Sequence, residues 1–492
     1  MRKEIKNLLK EIAIYAKKQN RHLYLVGGFL RDYFLKIPNN DLDFVTSAGV
    51  EKFTQSIAKK FKASFVRLDE KNKIYRVVLK KNGKMYHFDF SQIQGKNIKE
   101  DLSRRDFTIN ALALPVTSYP PSPRLRRTGR LQIIGYKRNL IDPYNGISDL
   151  KKKIIREISD EIFDLDPLRL IRAFRFRAKL GFKIETKTLA LIKKKAKLVI
   201  LPARERIRDE LYKIFAIDDS TKIIHEMDNK VNLLRYIFPE IQTMKKSARE
   251  FYFHPKGLWQ HSLESLGMYE KMLKQPEKFF SPYHNKIFNH LSGKINETER
   301  KILLKFIVLF HDVAKPHTAR REGERMRFFG HEEKGAKMTK EIFKRLHSSR
   351  QEINIAAKII DQHMRPGNLT QLPEVSNRAV YRYFRDLGKE SIDLLILSLA
   401  DRYSYLRISK KPREIKLHHR RILEILRRYY EEKKKITPLR LLNGYEIMKI
   451  CQIPPGPKVG ELLHLLEETQ AEGKIKTKGE AKKFLMALTP HL

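Results

Sequence analysis

Apolar and polar positions divide the chain into an alternating part and a helical part. His22 to Val26 forms a short apolar run that predicts a strand, Gly27 and Gly28 a turn, and Phe29 to Leu35 the first turns of a helix. Leu42 to Val45 predicts a second strand, and Tyr86 to Phe90 alternates like a half-buried one. From Gly146 to about Lys245 the period turns helical, and the apolar runs Ile302 to Phe310 and Leu394 to Ala400 predict buried helices. No fixed-period repeat is present. The order of elements predicts an α+β chain: a mixed sheet-and-helix head over 1–142, a helical neck over 143–245, a further helical domain over 246–410 and a helical tail over 411–492.

Chemistry enters at the first turn. Free N–H groups at the start of the helix after Gly27 and Gly28 would face an anion, with Arg31 in reach of a triphosphate. Asp41 and Asp43 are two apart on a strand, so both leave one face, where carboxylates and substrate phosphates commonly hold Mg²⁺. Two metals held there would activate a 3′-hydroxyl and neutralise departing pyrophosphate. Taken singly, a Gly-Gly turn and an Asp-x-Asp pair are ordinary structural features. Their order and closeness change the odds, and Asp89 on the alternating strand adds a third carboxylate. The run from Asp101 to Ala113, with Arg104, Arg105, Asp106 and Asn110, follows.

With these motifs together, the head resembles the bacterial-type tRNA nucleotidyltransferases and their poly(A) polymerase relatives, members of the polymerase-β nucleotidyltransferase superfamily. The resemblance implies a polymerase-β-like head in which Asp41 and Asp43 bind Mg²⁺ with Asp89 as a third ligand. It also implies that Gly27, Gly28 and Arg31 hold the triphosphate, and that Arg104, Arg105, Asp106 and Asn110 hold the incoming nucleotide. The family's Glu-Asp-x-x-Arg motif, whose Asp and Arg read the base edge in place of a nucleic-acid template, matches Asp166 and Arg169, with Leu165 standing where the Glu would be. A structural account of the same residues is a helix start, with Asp166 as cap and Pro167 at the first helical position. Arg206 falls in the match to the family's last head-and-neck motif; otherwise it lies on an ordinary charged helix face.

A second constellation spans the third segment: His254, His261, the adjacent pair His311 and Asp312, then His331, His363 and Asp401. Wide spacing around a His-Asp pair resembles the HD phosphohydrolase superfamily. That resemblance implies His261, His311, Asp312 and Asp401 as core ligands of a divalent metal, with His331 and His363 completing a second metal or contacting phosphate. Imidazoles mixed with carboxylates suit several divalent metals. A metal-bound hydroxide would attack a phosphate ester, with Lys315 or Arg365 neutralising its charge. Sixteen histidines leave several in structural places by chance, and His225, His284, His290, His347, His418 and His419 are read that way.

Composition agrees without naming a substrate. Lys plus Arg total 102 against 57 Asp plus Glu, a net +45, which favours phosphate backbones; a lysine-rich proteome or a membrane surface would give the same sign. No apolar run approaches the ~20 residues of a bilayer span. The charged amphipathic start lacks a signal-peptide core, and the single Cys451 cannot form an internal disulfide, so a cytoplasmic location is expected. A Pro- and Arg-rich segment over 115–130 reads as an insertion. In the tail, the turn from Pro454 to Gly460 resembles one near the end of many family members; its N–H groups and Lys458 would grip an RNA phosphate or merely start a helix.

The expected function is template-independent addition of C and/or A to tRNA 3′ ends from CTP and ATP, joined to a metal-dependent HD phosphohydrolase module. Poly(A) synthesis is the alternative within the same chemistry. A phosphohydrolase acting on nucleotides or RNA ends, with the head reduced to RNA binding, is the alternative of another class. Full CCA-adding relatives carry a longer segment between the third-carboxylate strand and the Arg-Arg-Asp motif, whereas here Asp89 and Asp101 are close in sequence. A short segment resembles the CC-adding branch and implies that addition stops at CC, complete CCA addition being the other outcome.

Overall fold

The computed structural model describes residues 3–116, 139–247, 256–323, 325–406, 408, 411–432 and 439–488. His254 and the expected insertion from 117 onward lie outside them. The chain forms two compact units, one of Met1–Pro202 with Asn229–Leu233, the other of Ala203–Asp228 with Leu234–Leu492.

The first unit carries a six-stranded mixed sheet. Its strands are β1 (Leu23–Val26), β2 (Asp41–Thr46), β3 (Ser64–Asp69), β4 (Ile74–Lys81), β5 (Lys84–Gln92) and β6 (Ala113–Pro115), in the order β3-β4-β5-β2-β1-β6. Within this sheet only β2 and β5 pair in parallel. Helix α1 (Lys3–Lys18) buries Ile5, Leu8, Leu9, Ile12, Ala13 and Ala16, the three-and-four spacing of one helical face. Helix α3 (Val50–Phe61) buries Phe53 and Ile57, and Phe53 meets Phe90 of the sheet edge-on. Between them, α2 (Gly28–Phe34) begins directly after β1. This packing matters for chemistry because it fixes register: Asp43 lies beside Asp89, and Asp41 beside His87, across β2 and β5. Across β4 and β5, Arg76 lies beside Asp89. Beyond the sheet come helices Ile98–Ser103 and Arg169–Leu180.

The second unit is almost wholly helical among the described residues. Helix Arg300–Phe310 is buried along almost its whole length, as its apolar residues require, with Lys305 among them paired to Glu270 at 2.8 Å, and Phe306 packs against Phe215, Phe238, Phe310 and Phe343. Helices Leu258–Lys274 and Glu390–Ser404 pack with it and with each other, and His331–Arg345 packs on Arg350–Asp361. The tail has its own small core of Leu442, Ile447, Leu462, Leu466 and Leu485. It is tied to helix Asn377–Leu387 through Glu468, which accepts hydrogen bonds from Arg378, Arg382 and Arg385. No helix among the described residues is long and apolar enough to cross a membrane.

Candidate active sites

The register of the head converts three distant carboxylates into one group. Asp41, Asp43 and Asp89 line a cavity of about 1120 Å³ together with Gly27, Gly28, Arg31, Arg104, Arg105, Asp106, Asn110, Asp166 and Arg169. Burial first, and then the charge of Asp89, push the Asp43 carboxyl up to about 6. The carboxylates of Asp41, Asp43 and Asp89 form an all-oxygen donor set that fits a hard divalent cation. Gly27 adopts φ +69°, and a Cβ there would stand 2.9 Å from Arg105 Nη1 and 3.3 Å from Asp43 Oδ2. Only glycine allows the turn to come so close to both side chains.

The arginines are held by a buried polar chain. Arg31 Nε donates to Asp32 Oδ1 at 2.7 Å and Nη1 to Asn110 Oδ1 at 2.8 Å, while Asn110 Nδ2 donates to Asp106 Oδ1 at 2.9 Å. Asp106 Oδ2 accepts from Arg172 Nε at 2.9 Å and Nη2 at 2.6 Å. Burial acts to raise the Asp106 carboxyl, but the Arg172 charge and the bonds from Asn110 and Arg172 outweigh it and hold it well below the usual range. The guanidiniums of Arg31, Arg172 and Arg175 stack on the buried ring of Phe176 at 5.2, 5.5 and 4.4 Å. Arg105 pairs with Asp101 at 3.1 Å.

Asp166 has the geometry of the expected helix cap, its backbone extended, its carbonyl accepting from Arg169 N–H at 3.0 Å and Pro167 following it. It closes the short helix Ile162–Leu165 in an extended conformation and accepts from Leu168 N–H at 3.3 Å, and the next helix starts at Arg169. Pro167 disfavours helical geometry at the residue before it, which explains the break. Arg169 donates to the carbonyls of Ile162 and Arg104. The motif reading did not identify Arg172, Arg175 or Phe176, which continue the face of Arg169 at helical spacing. Nor did it identify Arg76, which forms a bidentate pair with Asp89 at 2.7 and 2.8 Å, or His87, which bonds Asp41 at 2.7 Å. Arg206 lies in the second unit, on helix Arg204–Phe215.

In the second unit the expected HD residues converge. His261 Nε2 lies 3.5 Å from Asp312 Oδ2 and 3.1 Å from Asp401 Oδ1; His311 Nε2 lies 3.3 and 3.7 Å from the same atoms. The other oxygen, Asp312 Oδ1, faces His363 Nε2 at 3.5 Å and His331 Nε2 at 3.8 Å. Asp312 therefore belongs to two possible metal-holding groups, one with His261 and His311, the other with His331 and His363. The Nδ1 atoms of His311, His331 and His363 bond the carbonyls of Val308, Phe328 and Ile360, and that of His261 bonds the Ser404 hydroxyl. Since a carbonyl only accepts, those three Nδ1 atoms carry the proton and Nε2 is presented to the cluster. His311 Nε2 and Asp312 Oδ1 are buried without a hydrogen-bond partner, as expected of atoms that fit a cation.

Lys315 contacts Asp312 at 2.5 Å, whereas Arg365 pairs with Asp386. His290, His418 and His419 sit in structural hydrogen bonds, with Asp393, with Thr370 and Ser398, and with Tyr403 and Phe279 respectively.

Comparison with known proteins matches the same regions. Residues 23–156 match the poly A polymerase head domain, 181–245 a probable RNA- and SrmB-binding site of polymerase A, and 258–406 the HD domain. An A-adding tRNA nucleotidyltransferase of Deinococcus radiodurans is 30% identical over 474 residues, covering 94% of both chains. A CC-adding tRNA nucleotidyltransferase of Thermus thermophilus is 28% identical over 470 residues, covering 94% of this chain and 92% of that one. The structure of the Thermotoga maritima CCA-adding enzyme complexed with tRNA aligns over 99% of this chain and 96% of that one, at TM-score 0.61 and 22% identity, a likeness of fold. The chain belongs to the tRNA nucleotidyltransferase family, as an enzyme that couples a poly(A) polymerase head to an HD domain.

Proposed function

We propose that the head adds C, stopping at CC, to tRNA 3′ ends from CTP without a nucleic-acid template. The observation that carries this reading is the row of Asp41, Asp43 and Asp89 across β2 and β5, set in one cavity with arginines and with the Asp166 and Arg169 pair. Asp41, Asp43 and Asp89 would hold Mg²⁺, which when bound activates the 3′-hydroxyl and offsets charge on the triphosphate. Arg31, fixed by Asp32, Asn110 and the ring of Phe176, presents a preorganised cation to the triphosphate, and Gly27 lets the backbone approach it. Arg104, Arg105, Asp106 and Asn110 orient sugar and phosphates. Asp166 and Arg169 read the base edge, an acceptor beside a forked donor.

Partial addition is supported by the segment before the Arg-Arg-Asp motif. It is short and pinned: Gln94 N–H donates to Asp101 Oδ1 at 3.0 Å and Lys96 N–H to Glu100 Oε2 at 2.9 Å. A pinned segment leaves the base-reading pair in one setting. With tRNA lacking all three terminal nucleotides and both CTP and ATP present, product accumulates at CC. Efficient AMP incorporation onto tRNA ending in CC would overturn the reading.

The HD cluster is proposed as a phosphoester hydrolase. His261, His311, Asp312 and Asp401 would hold one divalent metal, and Asp312, His331 and His363 a second, supplying a nucleophilic hydroxide when bound. Lys315, already on Asp312, balances charge at the mouth.

A further inference from the structure

One charged element near the HD cluster has no part in the chemistry above. Between Asp312 and His331 the chain forms a two-stranded hairpin of Arg320–Glu322 and Arg325–Arg327. Its register sets Arg320 directly opposite Arg327 and Arg321 opposite Met326. Opposed like charges weaken a strand pair, so this register is unfavourable for the hairpin alone. Arg320, Arg321 and Glu322 are all exposed. Among the described residues Arg320 and Arg321 make no side-chain hydrogen bond or ion pair, and Arg327 reaches Glu322 at 3.8 Å. Immediately after the hairpin, Phe329 is 66% exposed, two residues before His331. Met364, next to His363, is 39% exposed. Exposed cations and a bare aromatic ring thus adjoin, along the chain, His331 and His363 of one possible metal-holding group.

We propose that the hairpin and Phe329 form a binding arm for single-stranded RNA, delivering an RNA end to the HD cluster. Arg320 and Arg327 leave the same face of the hairpin and would take backbone phosphates, which removes the repulsion that the register creates. Phe329 would stack on a base, which requires a base not already stacked in a duplex. A cationic pair together with a stacking ring exceeds what one mononucleotide phosphate engages. The delivery half of the inference rests on the hydrolase reading of the cluster; the binding half does not.

The test uses the full chain and a short oligouridylate with 4-thiouridine at its 3′ end, photo-crosslinked and mapped by mass spectrometry. Crosslinks are expected on the peptide containing Phe328 and Phe329, and are absent with the same reporter inside a duplex. Phe329→Ala lowers crosslinking there by about tenfold, the loss of one stacked base. Arg320→Ala with Arg327→Ala lowers the log–log salt slope of oligonucleotide binding by roughly 1.4, for two phosphates of a single strand. No crosslink at this peptide, or a yield indifferent to all three substitutions, overturns the binding arm. In parallel, the metal-loaded chain is given an oligonucleotide ending in a 3′-phosphate and a nucleoside 3′-monophosphate. The variants raise KM for the oligonucleotide and leave the mononucleotide unchanged; an equal effect on both overturns delivery. If the wild type hydrolyses neither, the hydrolase reading and with it delivery fail, while the crosslink still decides whether the arm binds RNA.

Discussion

Gly27 shows how little slack the head leaves at single residues. An alanine there meets a backbone at φ +69° and an Arg105 nitrogen 2.9 Å from its Cβ, so either the turn or the arginine moves. Displacement of about 1 Å at a reacting centre can cost ~10²-fold. Gly27→Ala should lower kcat/KM for CTP by about that factor while tRNA affinity is retained, measured by steady-state kinetics and filter binding. Asp41→Ala and Asp43→Ala should abolish addition outright and also spare tRNA binding; turnover near wild type in both would remove the metal assignment. Arg172→Ala strands the buried Asp106 without its main cation, and a loss of about 2 kcal/mol in urea unfolding is expected. The carboxylates and Arg31 were legible because motif spacing names them. Arg76, His87 and Arg172 were not, since each is defined by the residue opposite it in a register or on a helix face that one-dimensional spacing does not reveal.

At the scale of elements, the helices bearing His261, His311, His331 and His363 meet through both oxygens of Asp312. With Mg²⁺ kept in excess for the head, analysis of the purified chain for transition metal should therefore give two equivalents, about one for His363→Ala and none for Asp312→Ala; equal content in all three would deny the shared carboxylate. The His-Asp pair and the apolar run before it made the cluster readable, because a buried helix ending in His-Asp brings polar groups into the core. The cap at Asp166 was readable for a local reason: a proline fixes its own φ for the first helical position and pushes its predecessor into the extended space a cap needs.

The tail's attachment follows from charge. Burial acts to raise Glu468, but hydrogen bonds from Arg382 and Arg378 outweigh it and hold it at about 2, against 4.5 unperturbed. A depressed carboxylate stabilises fully above its unfolded value, and that stability is lost as pH falls from about 4.5 toward about 2. Glu468→Gln should thus cost roughly 2 kcal/mol at neutral pH, with the gap to wild type narrowing across that window in urea titrations. A gap independent of pH would show that packing, rather than the charge, holds the tail.

For the whole molecule, the division into two compact units separates the two candidate sites: every residue lining the head cavity lies in the first unit and every residue of the His-Asp cluster in the second. Ligands that bind only the native form stabilise the unit that holds them, by about 2.7 kcal/mol at a hundredfold excess over Kd. In differential scanning calorimetry, CTP with Mg²⁺ should raise the transition of the first unit, and a transition metal taken up by the histidine cluster should raise that of the second. Each shift should be the same whether or not the other ligand is present, within ~0.5 kcal/mol, since the two sites share no residues. Asp312→Ala should remove the second shift and leave the first, together with CMP addition, intact. If instead CTP with Mg²⁺ and the transition metal each raised one common transition, the two units would unfold as one cooperative body, and the separation seen in their residues would not extend to their energetics.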